Sequence, residues 1–252
     1  MKQFLLPSSY AGEARLSLTG DDHRYLARVL RLREGAELPA VDVKGSRYRM
    51  TILRVDKTRC LAELLPDRDN EVPPGGFSLT LLQCLPKGRK IDLIIRQATE
   101  AGVSRVVPLF SERTLVRPAD EAVRQARLAR VAREALQQSG RSRLPVIEEP
   151  RGLASLAAGR GDWGTALFFH EERLSAGSLH ELLAGQTDRV SILVGPEGGL
   201  SPAEVNLLTA AGFRPAYLGS GVLRVETAAL YAIAAVRTIV QEKDAWRAAE
   251  KR

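Results

Sequence analysis

The chain has 252 residues, 44% hydrophobic and 27% charged, with a formal net charge of +7. That composition excludes a disordered or collagen-like chain, and no apolar run approaches the roughly 18 residues of a membrane span. Pro7 interrupts the N-terminal apolar stretch before it reaches signal-peptide length, so a cytoplasmic protein is expected.

Residues 1–65 read as a small β-rich unit. Apolar residues alternate at period two around 14–18, 40–43 and 48–55. One helix interrupts them. Asp21 and Asp22 can cap it, and Leu26, Val29 and Leu30 share a face that ends before Gly35. Residues 66–76, with paired prolines and glycines, have the composition of a linker. Beyond it strands and helices alternate. Strands are expected at 77–85, 103–110, 166–169 and 190–194, with helices from Ile91 to Gly102 and over 119–139. The second of these helices carries an apolar stripe (Leu128, Val131, Ala132, Ala135 and Leu136) with arginines on its other faces. This order predicts an α/β domain with a mainly parallel sheet. Cys60 and Cys84 lie in apolar runs and read as buried thiols; no residues have metal-ligand spacing.

The basic excess is concentrated between residues 86 and 151, and the sequence pI is near 9.7. A polyanionic partner would explain it, as would a solvated arginine-rich helix.

Two segments carry the chemistry. Ile192 to Val194 runs into Gly195-Pro196-Glu197-Gly198-Gly199 and then into a helix with Ser201 as N-cap, Pro202 at its first position and Glu204 closing a capping box. Ligands of parallel sheets bind at the carboxyl ends of strands, and glycines there let backbone groups approach them. A tight turn with no ligand is the plain alternative. One strand–helix unit later, Gly219-Ser220-Gly221-Val222-Leu223-Arg224-Val225-Glu226-Thr227-Ala228 ends a strand and opens a long apolar helix. Arg224 and Glu226 could be a surface ion pair or pocket groups. His170 ends a strand and could serve the pocket or cap a loop. Neither a P-loop, a dinucleotide turn nor a catalytic serine or metalloprotease pattern is present.

In order along the chain, five segments resemble the ribosomal RNA small subunit methyltransferase E family. They are His23 to Gly35; Lys87-Gly88 with Gln97 to Val103; Glu134 to Arg141 with Pro145; the Gly195–Gly199 turn; and Leu223 to Ala228. Ala101, Gly221 and Val225 depart from the usual residues. The resemblance implies a PUA-like β-barrel that binds RNA (residues 1–72) and a SPOUT-class α/β domain with a C-terminal trefoil knot (residues 73–252). It implies a homodimer that methylates N3 of a uridine in 16S rRNA of the small ribosomal subunit, with S-adenosyl-L-methionine as methyl donor and no metal. On this reading Phe169, His170, Gly195, Pro196, Glu197, Gly198, Leu218, Gly219, Val222, Leu223, Thr227 and Ala228 hold the cofactor. Arg224 stabilises the uridine anion, and Glu226 or Glu197 accepts the proton or orients Arg224. Arg24, Arg28, Arg31, Lys87, Arg127, Arg130, Arg133 and Arg141 contact RNA. A non-catalytic RNA-binding or ribosome-assembly protein on the same fold is the alternative.

Overall fold

A computed structural model describes residues 3–68, 77–114, 121–158, 162–174, 177–185 and 187–249. It divides into two compact units, Met1–Pro74 with Leu136–Leu144, and Gly75–Ala135 with Pro145–Arg252. Residues 69–76 of the expected linker lie outside the described residues, as do 119 and 120 of the expected long helix.

The first unit is a five-stranded sheet. Its strands are β1 (Phe4–Leu5), β2 (Arg15–Thr19), β3 (Glu37–Val41), β4 (Arg47–Val55) and β5 (Arg59–Pro66), in the order β1-β3-β4-β5-β2. All pairs are antiparallel except β1 with β3. β1 and β2 are the two ends of this order among the described residues, and the strands make the small β-rich unit of the barrel kind that was expected. Period-two alternation puts Met50, Ile52, Cys60, Ala62 and Leu64 on one buried face, with Phe4, Leu18 and Leu26 packed against it.

The expected helix after β2 is a composite. A short α1 (Gly20–Arg24) passes into a π-helical turn over Tyr25–Val29, closed by the Leu30 N–H donating to the Tyr25 carbonyl at 2.9 Å. The wider turn rotates Val29 out of the stripe that α-helical spacing predicts, and it is 63% exposed. Nor do Asp21 and Asp22 cap α1: Thr19 holds the cap position, without a side-chain bond.

The second unit is a sheet of strands β6 (Ser78–Cys84), β7 (Arg105–Phe110), β8 (Val146–Ile147), β10 (Thr165–Phe169), β11 (Arg189–Val194) and β12 (Arg214–Ala216), with a two-residue β9 (Arg151–Gly152) beside β7. Its order is β12-β10-β11-β6-β7-β8 and every pairing is parallel. Both faces are covered, which is why the strands are near-continuous apolar runs. One face packs against α2 (Lys90–Glu100), α3 (Glu121–Ser139) and α7 (Val225–Ala249) through Ile91, Ile95, Leu128, Ala229 and Ile233. The other packs against α4 (Ser155–Ala158) and α6 (Pro202–Ala210) through Leu156, Leu208 and Phe213. A four-residue α5 (Leu179–Leu182) lies between β10 and β11. Cys60 and Cys84 are buried free thiols, as expected, and burial pushes the Cys84 thiol well up. No helix among the described residues is long and apolar enough to cross a membrane.

Candidate active site

Sheet register levels four residues. Val194 stands beside Gln83 on one side and Phe169 on the other, and Phe169 stands beside Ala216. The next residues of β10 and β11, His170 and Gly195, therefore leave the sheet side by side. The chain reverses its direction of travel across the sheet between β6 and β11, the crevice where open parallel sheets bind ligands.

A cavity of about 450 Å³ opens there, a size ordinary for a small-molecule cofactor. Three loops surround it: residues 169–171 after β10, 194–200 after β11, and 218–225 leading into α7. Every cofactor residue read from the sequence lines it except Thr227. On the first turn of α7, Val225 and Ala229 point inward, which leaves Thr227 exposed. Strand β12 ends at Ala216, three residues before the expected Gly219, so residues 217–224 form a longer loop, most of which lines the cavity.

The glycine turn has a more local logic than ligand clearance. A Cβ on Gly195 would meet Leu200 Cγ at 3.3 Å, and one on Gly198 would meet Arg113 Cδ at 3.3 Å. Both glycines thus make room for neighbouring side chains, and Arg113 Nη1 in turn donates to the Gly198 carbonyl. The helix that follows is capped as predicted: Ser201 Oγ accepts from the Glu204 N–H at 3.2 Å, and Glu204 Oε2 accepts from the Ser201 N–H at 2.9 Å. Glu204 Oε1 accepts from the Glu112 N–H at 2.8 Å, tying the loop after β7 to α6.

Charge gathers at one rim of the cavity. Lys90 Nζ donates to Glu197 Oε1 at 2.7 Å, and the Lys87 backbone N–H reaches both Glu197 oxygens at 3.1 and 3.3 Å. Burial alone would raise the Glu197 carboxyl. The Lys90 ammonium and the backbone N–H groups of Glu197 and Lys87 outweigh it and hold that carboxyl below its ordinary value. The same hydrogen bond pushes the Lys90 ammonium up, against burial and the nearby Arg224 charge. Glu226 Oε2 lies 4.0 Å from Lys90 Nζ, shielded from water and without a hydrogen-bond donor. Arg224 lines the open side of the cavity and is exposed. Among the described residues it makes no ion pair with Glu226, so the surface-pair alternative fails.

His170 is turned to its own loop. Its Nδ1 accepts from the Glu172 N–H at 3.0 Å, which is a capping role. The expected RNA contacts fall in both units. Arg28, Arg31, Lys87 and Arg130 are exposed, and Arg24 pairs with Asp21 at 3.1 Å. Arg127 is held by Asp92 at 3.2 Å, while Arg133 and Arg141 are half-buried. Lys90 was not singled out by sequence reasoning. Three residues after Lys87, it belongs to no motif of recognisable chemistry, and only the fold brings it to Glu197. Among the described residues no group of metal-binding side chains occurs.

The chain matches the family model of an RNA methyltransferase domain over residues 74–237 and that of an RNA methyltransferase PUA domain over 18–65. It is 32% identical to ribosomal RNA small subunit methyltransferase E of a Synechocystis species, over 91% of this chain and 75% of the relative. It is 33% identical to the protein of that name from Mycobacterium tuberculosis, over 90% and 87%. The crystal structure of ribosomal RNA small subunit methyltransferase E from Neisseria gonorrhoeae, bound to S-adenosyl methionine, superposes with a TM-score of 0.85 at 30% identity, covering 95% of this chain and 98% of that one. By sequence along most of its length, and by fold, the chain belongs to the ribosomal RNA small subunit methyltransferase E family of RNA methyltransferases.

Proposed function

We propose that this chain methylates N3 of a uridine in 16S rRNA of the small ribosomal subunit, in the cytoplasm, with S-adenosyl-L-methionine as donor. Residues 1–72 would grip RNA and residues 73–252 would carry the reaction, as a homodimer whose C-terminal segment is tied into a knot. One observation carries the reading: the glycine turn and the Leu223–Ala228 segment, far apart in sequence, wall a single cavity whose lining includes Lys90, Arg224 and Glu197.

The residues fit the donor. Phe169, Leu218 and Leu223 offer apolar surface to a nucleoside, and the backbone of the two cavity-lining loops around Gly195 and Gly219 would offer hydrogen-bonding groups to its base and ribose. Bound there, S-adenosyl-L-methionine supplies an electrophilic methyl group. The protein's own task is to position the uridine and to manage its proton. Uridine N3 becomes nucleophilic when its proton leaves, and the negative charge spreads to the flanking carbonyl oxygens. Arg224, an exposed residue of the cavity lining, would donate to those oxygens. Of the two carboxylates, Glu197 has its oxygens taken by Lys90 and Lys87, whereas Glu226 keeps one without a donor. Glu197, which lines the cavity, or Glu226, 4.0 Å from Lys90, would accept the proton or orient Arg224.

Two measurements test this. Calorimetry should show S-adenosyl-L-methionine binding, and mass spectrometry of 16S rRNA should show one methyluridine lost when the gene is removed. A modification that persists without the gene would overturn the reading.

A further inference from the structure

We propose that Arg113, from outside the cavity, sets the affinity of the cofactor site: by holding the Gly198 carbonyl it keeps the glycine turn in the conformation that receives S-adenosyl-L-methionine. The inference rests on the methyltransferase reading above and deepens it.

Arg113 stands on a short arm that follows β7 and is closed on itself. The Thr114 N–H donates to the Ser111 carbonyl at 3.1 Å, and the Ser111 N–H donates to Thr114 Oγ1 at 2.9 Å. The arm is also tied to the far side of the glycine turn. The Glu112 N–H donates to Glu204 Oε1 at 2.8 Å, and Glu204, only 8% exposed, completes the cap of α6, the helix that follows the turn. From this base Arg113 Nη1 donates to the Gly198 carbonyl. Its stem lies along the same residue: a Cβ on Gly198 would stand 3.3 Å from Arg113 Cδ and 3.4 Å from Arg113 Cβ.

Gly198 is one of the described residues that line the cavity, and Arg113 is not. The arginine therefore acts through the turn. Glu197 is already held by Lys90 and the Lys87 N–H, which leaves the Gly198–Gly199 peptide as the freer part. With a glycine on each side, no Cβ limits its rotation. Within the turn its backbone closure is the Gly199 N–H donating to the Pro196 carbonyl at 3.0 Å. A charged donor on the Gly198 carbonyl fixes the plane of that peptide. A turn fixed beforehand needs less ordering when the cofactor binds. If the competent turn is populated in only about one tenth of molecules, the apparent Kd rises about tenfold.

Calorimetry and kinetics on the full chain test this. Arg113→Ala should bind S-adenosyl-L-methionine about tenfold more weakly, with KM for it raised to match and kcat unchanged at saturating cofactor. Arg113→Lys keeps a cationic donor and should lie between. Gly198→Ala crowds the arginine stem and should also weaken binding about tenfold. Because both changes break one contact, the double variant should lose about tenfold in affinity and not about a hundredfold. Hydrogen exchange of the cofactor-free protein adds a readout that needs no ligand: the Gly199 amide should exchange faster in Arg113→Ala than in wild type.

Wild-type cofactor affinity in Arg113→Ala would overturn the proposal, as would an unchanged Gly199 exchange rate. A raised KM for RNA with unchanged cofactor affinity would overturn it too, since the arginine would then meet the RNA itself. A loss of about a hundredfold in the double variant would overturn the link between the two residues, because Gly198 would then clear the cofactor and not the arginine. A wild-type chain that binds no S-adenosyl-L-methionine would strike the methyltransferase reading instead, and the Gly199 exchange rate would alone decide whether Arg113 holds the turn.

Discussion

On the proposed mechanism Arg224 concentrates the chemistry into one side chain. Its planar guanidinium can donate two parallel hydrogen bonds, and it sits ahead of α7 on the open side of the cavity, where a base would enter. Arg224→Ala is expected to bind cofactor normally and to lower turnover by about 100-fold, with Arg224→Lys between the two; single-turnover methylation of 16S rRNA would show it. Wild-type turnover would leave Arg224 with a structural role only. A second prediction belongs to the first unit. The Tyr10 phenol is raised from 10.0 to about 12, by burial first and then by the neighbouring Tyr48. The folded state therefore holds that proton more tightly than the unfolded chain. The resulting stability is complete below pH 10.0 and is lost as the pH rises through about 12. Tyr10→Phe should lose this alkaline slope in denaturant midpoints taken across that range; an identical slope in both proteins would refute the assignment. At this scale the sequence was legible where residues belong to a motif: Arg224 and Glu197, far apart in sequence, both line the cavity. It was silent on Lys90, because a lysine's partners depend on which loops the sheet brings together.

Elements were easiest to read where several local signals agree. Ser201, Pro202 and Glu204 each favour a helix start at the same place, and α6 begins there with both halves of the capping box formed. Ser201→Ala is expected to cost about 1 kcal/mol, a fall in melting temperature of roughly 2–4 °C for a unit of this size. Calorimetric melting would check it, and no change would mean that water replaces the cap without loss. The π-helical turn was illegible for the opposite reason. Leu26, Val29 and Leu30 fit an α-helical stripe, and nothing local signals the extra residue in the turn that exposes Val29. Gly164 was equally silent, although β10 depends on it. Its φ is 60°, and a Cβ there would stand 2.1 Å from the Arg189 carbonyl oxygen. No flexible side chain can yield to that contact, because the obstacle is backbone of the neighbouring β11. Gly164→Ala should therefore destabilise by about 3 kcal/mol or more, far beyond the ordinary surface substitution. A melting temperature near wild type would show that the strand start shifts at little cost.

At the scale of the whole molecule, Leu230, Ile233, Ala234, Ile239 and Val240 of α7 share an apolar face by spacing, more than one sheet needs for cover, and the proposed homodimer would use the remainder. The structure divides that face. Ile233 and Val240 are buried against the sheet at 0% and 8% exposure, so they belong to the domain's own core. What stays outside on α7 is Leu230 at 37% and Tyr231 at 52%, beside the exposed Ala234. Val222, in the loop ahead of the helix, is 88% exposed and also lines the cavity. A partner subunit that covered both α7 and this loop would pack residues 221–223 from outside and so favour a closed pocket. Assembly and cofactor binding would then be coupled, with a factor of about ten being ordinary for such linkage. Leu230→Glu puts a charge on the patch without touching the core. It should fold with a normal melting temperature, sediment as a monomer at micromolar concentration, and bind S-adenosyl-L-methionine about tenfold more weakly by calorimetry. Sedimentation of the wild-type chain as a monomer at that concentration would remove the dimer from the proposal. A monomeric Leu230→Glu variant with unchanged cofactor affinity would keep the dimer but separate it from the pocket.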